Sequence, residues 1–375
     1  MKKVLITGIL GQDGANMAEY LLENTHCEIY GMMRRSSNPN FKNCNSFKNN
    51  PRFQFVYGDL TDSVSIDSLV ANIQPDYLIN FGAQSFVGCS WDMPLQTFEV
   101  NATGVLRCLE AIRKNKPTCR FYSAGSSEEF GDVQTIPQDI SHPLRPRSPY
   151  GASKAAARSI VKVYRESYGL YAVLGILFNH EGTKRGEEFV TRKITKGVAR
   201  IKRSIEKGEP FLPIELGNLD AKRDWSDSED FVDGVWKMLN QEVWRQDLQP
   251  ELYRENSYSK NLIKPLKDYI LSSDETHTIR EFVELAFKAI EIHGIWHGYC
   301  ENEEYSFTQE SLEKNNSVSS VLVSINKKFY RPAEVDILIG DSRPAREDLR
   351  WKPKVSFNDL VNKMVNHDCS VDISP

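Results

Sequence analysis

Near the start of the chain a short apolar run, Val4-Leu5-Ile6, leads directly into Thr7-Gly8-Ile9-Leu10-Gly11-Gln12-Asp13-Gly14 and then into a helix-forming stretch from Ala15 to Glu23. A strand that must turn at once into a helix needs residues free to take unusual backbone angles or to pass very close to a neighbouring strand, and glycine supplies both. The helix start then offers unpaired N–H groups and the positive end of a dipole, which together suit an anion such as a pyrophosphate. The reading is a dinucleotide loop formed by Gly8, Gly11, Gln12, Asp13 and Gly14 at the first strand-to-helix turn of a parallel sheet.

The rest of the first half fits that start. Short apolar runs at Val4–Ile6, Glu28–Met32, Phe53–Tyr57, Tyr77–Asn80, Arg120–Ser123 and Ala172–Leu177 alternate with amphipathic segments, the pattern of βαβ units feeding one sheet. This predicts an α/β fold, a doubly wound parallel-sheet Rossmann domain over residues 1–178, with segments returning to it near 214–240 and 321–341. After Asn179 the alternation gives way to charged helical stretches, so 179–213, 268–320 and 342–375 are assigned to a smaller, mostly helical substrate-binding lobe. Residues 241–267 are polar and interrupted by Pro250 and Pro265, and are read as a surface insertion.

Composition excludes several classes of function. The 375 residues carry a net charge of −4, with 40% hydrophobic and 26% charged side chains. No basic field is available for a nucleic-acid backbone or an anionic membrane. No apolar run approaches the roughly 20 residues that span a bilayer, so neither nucleic acid nor membrane is expected as a partner and a cytoplasmic location is. The seven cysteines are odd in number and form no CxxC pair, which argues against a disulfide framework and against a metal site.

The glycine spacing GxxGxxG, rather than GxGxxG, is similar to that of short-chain dehydrogenases. About twenty residues after Gly14, where NAD-binding folds place an acidic residue on the ribose, this chain has Arg34-Arg35-Ser36. Two guanidiniums there suit a 2′-phosphate, and the cofactor expected is NADP. Asp59-Leu60 after the third strand suits the adenine, and Phe81-Gly82-Ala83-Gln84-Ser85 suits a loop beneath the cofactor.

Tyr150-Gly-Ala-Ser-Lys154 sets a phenol and an ammonium on one helix face. Lys154 is expected to lower the pKa of Tyr150 and to hold the nicotinamide ribose. Ser126 and Glu128 lie just past a strand, at the edge where doubly wound sheets bind ligands. The Ser126 hydroxyl can bond a substrate hydroxyl. Glu128 is the telling residue, since hydride transfer needs tyrosine, lysine and a hydroxyl, whereas loss of water needs a further acid/base, and a buried site is expected to raise its pKa.

With these residues in place the chain resembles the GDP-mannose 4,6-dehydratases of the extended short-chain dehydrogenase family along nearly its whole length. The shared stretches include Thr7 to Ala15, Arg34 to Ser37, Tyr57 to Asp62, Gly82 to Ser85, Pro146 to Tyr150, Gly175 to Glu181, Phe189 to Ile194, Gly217 to Trp225, Tyr330 to Val335 and Leu349 to Pro353. The resemblance implies that Ser126, Glu128 and Tyr150 carry the chemistry and that Lys154, His180 and Arg185 contact NADP. It also implies that Ser85, Asn179, Arg192, Lys193, Arg223, Arg331 and Glu334 join Ser126 and Glu128 in holding a GDP-sugar, and that the protein is a homo-oligomer, a dimer or tetramer.

The implied reaction oxidises carbon 4 of the sugar, eliminates water across carbons 5 and 6, and returns the hydride to carbon 6, so the enzyme is a lyase with no net redox change. The chain departs from the family in carrying Ser126 for threonine, Phe86 for histidine, and Gly182-Thr183-Lys184 for a Ser-Pro-Arg run. Dehydration of another GDP-sugar, such as a heptose, stays open at this point, as do 4-epimerisation and a non-catalytic NADP sensor.

Overall fold

The computed structural model describes residues 1–241, 265–315, 317–330 and 337–371. Six of its strands fall on the six apolar runs: β1 (Lys3–Thr7), β2 (Glu28–Met33), β3 (Phe53–Tyr57), β4 (Tyr77–Asn80), β5 (Arg120–Ala124) and β6 (Ala172–Leu177). With Tyr269–Leu271 they form one sheet, in the order Tyr269–Leu271, β6, β5, β4, β1, β2, β3, and every pairing is parallel. The chain winds outward from β1 through β2 to β3 and then crosses back to β4. The strand order therefore reverses between β1 and β4, which leaves a crevice at their carboxyl ends.

Helices cover both faces, as strands buried on both sides require. On one face, α1 (Gln12–Asn24) and α7 (Ser228–Leu239) pack Ala15, Met17, Leu21, Phe231, Val235 and Met238 against the sheet. On the other, α2 (Ser63–Ile73), α4 (Gly104–Asn115) and α5 (Pro149–Tyr168) contribute Ile66, Val70, Val105, Leu109, Ala157 and Val161. The ends of α5 follow local chemistry. Pro149 fits the first turn, the Ser148 hydroxyl accepts from Gly151 N at 3.0 Å, and Gly169 closes the helix in the left-handed conformation at φ 68°.

A second core lies under a four-stranded sheet formed by Gly294–His297, Glu304–Phe307, Val321–Ile325 and Ile214–Leu216. The helices α6 (Val190–Lys207), Ile279–Lys288 and Phe357–Ser370 supply Ile194, Val198, Phe282, Leu360 and Met364 to it. The smaller lobe thus combines helices with a sheet that its charged sequence conceals.

Three segments lie elsewhere than the sequence pattern placed them. Ile214–Leu216 and Val321–Ile325 pair with each other in the small sheet instead of returning to the large one. Tyr269–Leu271, assigned to the lobe, is the seventh strand of the large sheet beside β6. Asp268 fixes it there, accepting two bonds from Arg165 at 2.6 and 2.9 Å and one from Leu174 N at 2.8 Å. Of the polar stretch 241–267, residues 242–264 lie outside the described ones; its ends meet, with Gln241 Nε2 donating to Lys267 O at 2.9 Å and Lys267 N to Gln241 Oε1 at 3.2 Å.

Trp351 ties the C-terminal part of the chain back to the large domain. It is 1% exposed, meets Phe231 edge-on at 5.7 Å, and donates from Nε1 to Asp230 O at 2.8 Å. Trp351→Ala is expected to cost about 3–5 kcal/mol of stability, read as a lowered urea midpoint with unchanged far-ultraviolet circular dichroism below the transition. A loss under about 1 kcal/mol would show that the site collapses around the cavity.

Candidate active site

The loop after β1 turns so tightly that side chains at its glycines would collide with the neighbouring backbone. Gly8 has φ 70°, and a Cβ on it would stand 2.8 Å from Gly82 N; one on Gly14 would stand 2.4 Å from Gly8 O. Gly11 N donates to Gly8 O at 3.0 Å, and no side chain caps the start of α1, so its first N–H groups face the crevice. Opposite, Thr7 Oγ1 donates to Asn80 Oδ1 at 2.6 Å and accepts from Gly82 N at 2.9 Å. This holds Phe81 to Ser85 beside the glycine loop. Leu60 is buried beneath, while Asp59 Oδ1 accepts from both Thr61 N and Thr61 Oγ1 at 2.9 Å. Arg34, Arg35 and Ser36 are exposed at the end of β2, with Arg35 donating to Ser36 O at 2.9 Å.

The loop after β4 is joined to α5 through one asparagine. Between α3 (Pro94–Phe98) and α4 the helix widens into a π turn over Glu99–Thr103, a distortion frequent at functional sites. It presents Asn101, whose Oδ1 accepts from Gln84 N at 2.9 Å and whose Nδ2 donates to Gln84 O and to Ser153 Oγ, each at 3.0 Å. Gln84 Oε1 and Gln12 Oε1 are buried without a hydrogen-bond partner. Two buried acceptors in that condition, one on the glycine loop and one on the loop after β4, call for donors that the described residues do not supply.

A second set of contacts ties the glycine loop to the chain after β6. Gln12 Nε2 donates to His180 O at 3.0 Å. Asp13 Oδ2 lies 3.0 Å from His180 Nε2, and the other ring nitrogen lies 2.8 Å from Phe178 O. With an acceptor at each nitrogen the imidazolium is favoured. Burial opposes that charge, but the Asp13 carboxylate overrides it and the His180 pKa is raised. Burial likewise works against the Asp13 carboxylate, while His180 and then Arg185 hold its pKa below the usual value. Asn43 Nδ2 donates to Leu10 O and to Lys184 O, both at 3.1 Å. Arg185 forms an ion pair with Glu181 at 3.0 Å and lies over the Phe189 ring at 3.5 Å. Phe189 in turn meets Phe86 edge-on at 6.0 Å.

At the end of β5 the structure brings together Ser126, Glu128, Tyr150 and Lys154. Ser126 caps a single 3₁₀ turn, Ser127–Glu129, its hydroxyl accepting from Glu128 N at 3.3 Å. Tyr150 and Lys154 are 8% and 6% exposed. Lys154 Nζ donates to Ala124 O at 2.7 Å and stands 5.8 Å from the Tyr150 ring centre.

Two expectations are corrected here. Tyr150 is not more acidic than an ordinary tyrosine in this structure: burial pushes its pKa up to about 12, outweighing the Ser126 hydrogen bond and the Arg185 charge that favour phenolate. Burial also lowers Lys154 to about 8. Nor is Glu128 the buried carboxyl of the turn. Glu128 is half-buried, whereas Glu129 is 0% exposed and burial raises it to about 7. Sequence reading passed over Glu129, although Ser126 to Glu129 has the S-x-x-E spacing of a capping box.

The residues implied to hold a GDP-sugar lie on several elements. Asn179 is half-buried at the head of Asn179–Glu181, a strand paired with Trp225–Asp227. Lys193 Nζ lies 3.3 Å over the Phe329 ring, and burial lowers its pKa to about 8. Arg223 is buried and donates to Lys222 O at 2.8 Å. Arg192 is drawn inward: it is 8% exposed, pairs with Asp368 at 2.7 Å and donates to Thr183 O. Ser85 is exposed at the rim. Arg331 and Glu334 lie outside the described residues.

The family model described as GDP-mannose 4,6 dehydratase matches residues 5–248 and 260–364, a match interrupted inside the polar stretch 241–267. The chain is 41% identical to GDP-mannose 4,6 dehydratase of Cricetulus griseus, over 98% of this chain and 91% of that one. It is 41% identical to GDP-mannose 4,6-dehydratase of Yersinia enterocolitica, over 98% and 94%. Among solved structures, dTDP-glucose 4,6-dehydratase of Bacillus anthracis in complex with NAD superposes with a TM-score of 0.73 at 17% identity, covering 98% and 96% of the two chains, a likeness of fold. A family match over most of the chain, together with that identity over nearly all of it, places this protein in the GDP-mannose 4,6-dehydratase family.

Proposed function

We propose that the chain is an NADP-dependent GDP-sugar 4,6-dehydratase that converts GDP-D-mannose to GDP-4-keto-6-deoxy-D-mannose. The observation that carries this reading is the meeting of Ser126, Glu128, Tyr150 and Lys154 at the carboxyl end of β5, beside the loop of Gly8, Gly11 and Gly14. That loop suits a dinucleotide: its glycines allow a tight turn against Gly82 and Gly8, the start of α1 has no side-chain cap, and the side-chain oxygens of Gln12 and Gln84 lack donors. When bound, NADP⁺ supplies the acceptor for the hydride of carbon 4 and the donor of hydride to carbon 6, so it ends each turn as it began. Arg34 and Arg35, exposed at the end of β2, would bind the 2′-phosphate.

The chain's own residues then divide the proton transfers. Tyr150 takes the proton of the carbon-4 hydroxyl, and Lys154 stabilises the phenolate and holds a ribose hydroxyl. The Ser126 hydroxyl orients the same sugar oxygen. The carbon-4 ketone acidifies the proton on carbon 5. Glu128 takes that proton and delivers one to the departing carbon-6 hydroxyl, releasing water, and carbon 5 is reprotonated as carbon 6 is reduced. An epimerase needs no such carboxylate, so Glu128 favours dehydration. Half-exposed Phe86, edge-on to Phe189 beside Arg185, favours a second reading in which the sugar is another GDP-sugar, such as a heptose.

Mass spectrometry of the protein with NADP⁺ and either GDP-mannose or a GDP-heptose is expected to give a product lighter by one water from GDP-mannose. Loss of water from the heptose alone would make the Phe86 region a determinant of sugar choice, and loss from neither would overturn the dehydratase reading. Tyr150→Phe should lower kcat by about 10²–10⁴-fold while NADP⁺ still binds; undiminished turnover would remove Tyr150 from the mechanism. Reversal of both Arg34 and Arg35 to glutamate should weaken NADP⁺ by about tenfold or more relative to NAD⁺, measured by calorimetric titration. Equal losses for the two cofactors would end the case for 2′-phosphate recognition.

A further inference from the structure

The turn after β5 carries a carboxyl group that the reaction as derived does not use. Glu129 has no solvent contact. Its Oε1 accepts from Ser126 N at 2.8 Å, while its Oε2 has no hydrogen-bond partner. The nearest cation to Oε2 is Arg158, with NH1 at 3.9 Å. That NH1 is itself buried without a hydrogen bond, and the guanidinium's other arm donates to Ile140 O. Tyr150, Lys154 and Arg158 follow at four-residue intervals on α5, so they share one face of that helix. The buried carboxyl sits against this face, beneath the backbone from Ala124 to Ser126 that also receives the Lys154 ammonium.

A buried carboxylate with an unengaged oxygen and a guanidinium held just out of bonding distance is a poor structural ion pair. Burial of unpaired polar atoms is unfavourable, and a well-packed apolar pair would avoid that cost. The arrangement makes sense if the negative charge acts on something besides Arg158. We propose that Glu129 is a positioning residue of the dehydratase: its carboxylate fixes the backbone of Ser126 and supplies the negative charge that keeps Lys154 an ammonium beside Tyr150. The inference rests on the catalytic reading given above.

The groups facing Glu129 set the sign of the effect. From α5 come Arg158, Lys154 and Tyr150. Glu128 shares its turn, and Asp268, at the start of the seventh strand, adds a distant negative charge that Arg165 largely neutralises. Burial drives Lys154 towards the neutral amine, and Glu129 is the foremost charge opposing this, ahead of Asp13. Removal of the Glu129 charge therefore lets Lys154 lose its proton at lower pH. Activity needs that ammonium, so the alkaline limb of the kcat profile moves down.

The test is the pH dependence of kcat, at saturating NADP⁺ and with the GDP-sugar that loses water in mass spectrometry, for the parent enzyme, Glu129→Gln, Glu129→Asp and Lys154→Arg. Glu129→Gln keeps an oxygen for Ser126 N and removes the charge. Its alkaline limb is expected about 0.5–1 pH unit below the parent's. Glu129→Asp keeps the charge on a shorter side chain, and its alkaline limb is expected closer to the parent's. Should Glu129→Gln fail to fold, Lys154→Arg, whose guanidinium stays charged, is expected to lose the alkaline limb in its residual activity, and a limb unchanged there would by itself overturn the proposal. An alkaline limb unmoved in Glu129→Gln, or moved down equally in Glu129→Asp, would do so too and would leave Glu129 a structural cap alone. Tyr150→Phe is the control: if it retains full turnover, the catalytic reading fails first, whereas an inactive Tyr150→Phe beside an unshifted Glu129→Gln sinks only the role of Glu129.

Discussion

The site depends on how α5 is laid against the end of β5. Three ionisable side chains at four-residue spacing, Tyr150, Lys154 and Arg158, are turned inward where an amphipathic helix ordinarily presents aliphatics. Apolar Ala157 and Val161 on the same helix anchor it to the sheet, and the polar side chains beside them keep little contact with water. Each charge there has to be answered locally, because an unpaired buried ion costs far more than any single contact in the core gains. Ala124 O and the Glu129 carboxylate give that answer for Lys154, and Ser126 gives part of it for Tyr150.

The same accounting explains why the glycine loop and the chain after β6 are stitched together so closely. Asp13, at the start of α1, and His180 each favour the charged form of the other against burial. Stacking of His180 on Phe231 at 4.7 Å fixes the ring plane, and the bond from Gln12 to His180 O fixes its height. The smaller lobe is joined to the site by a parallel device. Arg192 on α6 pairs with Asp368, which also accepts from Thr195 Oγ1 at 2.7 Å, while Lys363 reaches Asp227 at 2.8 Å. Two helices of the lobe are thereby fixed in register with the strand pair Asn179–Glu181 and Trp225–Asp227, and the crevice between domains has defined walls.

What the sequence disclosed follows from which forces act locally. The six strands were legible because burial on both faces makes each a continuous apolar run, and the glycine loop because its spacing is set by backbone sterics. Tyr269–Leu271 was hidden: three residues behind a polar stretch carry no periodicity, and Asp268, a side chain contacting Arg165 from far along the chain, decides their place. Ile214–Leu216 and Val321–Ile325 were misplaced for the same reason, since only pairing across more than a hundred residues shows which sheet they join. At the site, the nearness of Tyr150 and Lys154 could be read from spacing, and that of Ser126 and Glu128 from their place just past β5. The direction of the Tyr150 pKa could not, because it is set by burial from several elements at once and not by the lysine one turn away.

The adjacent glutamates show how one turn divides two roles. In a 3₁₀ turn, successive side chains are separated by about 120°, so two neighbours cannot face the same way. Once Glu129 is drawn into the core by Ser126 N, Glu128 must point to another side, towards the crevice and Tyr150, where its charge is felt by the phenol. A hydride-transfer scaffold needs nothing at that point beyond the hydroxyl of Ser126. In the proposed mechanism, an acid/base placed there by the rotation of a single turn, and held by the burial of its neighbour, adds the elimination of water to a sheet and helix arrangement otherwise suited to oxidation and reduction alone.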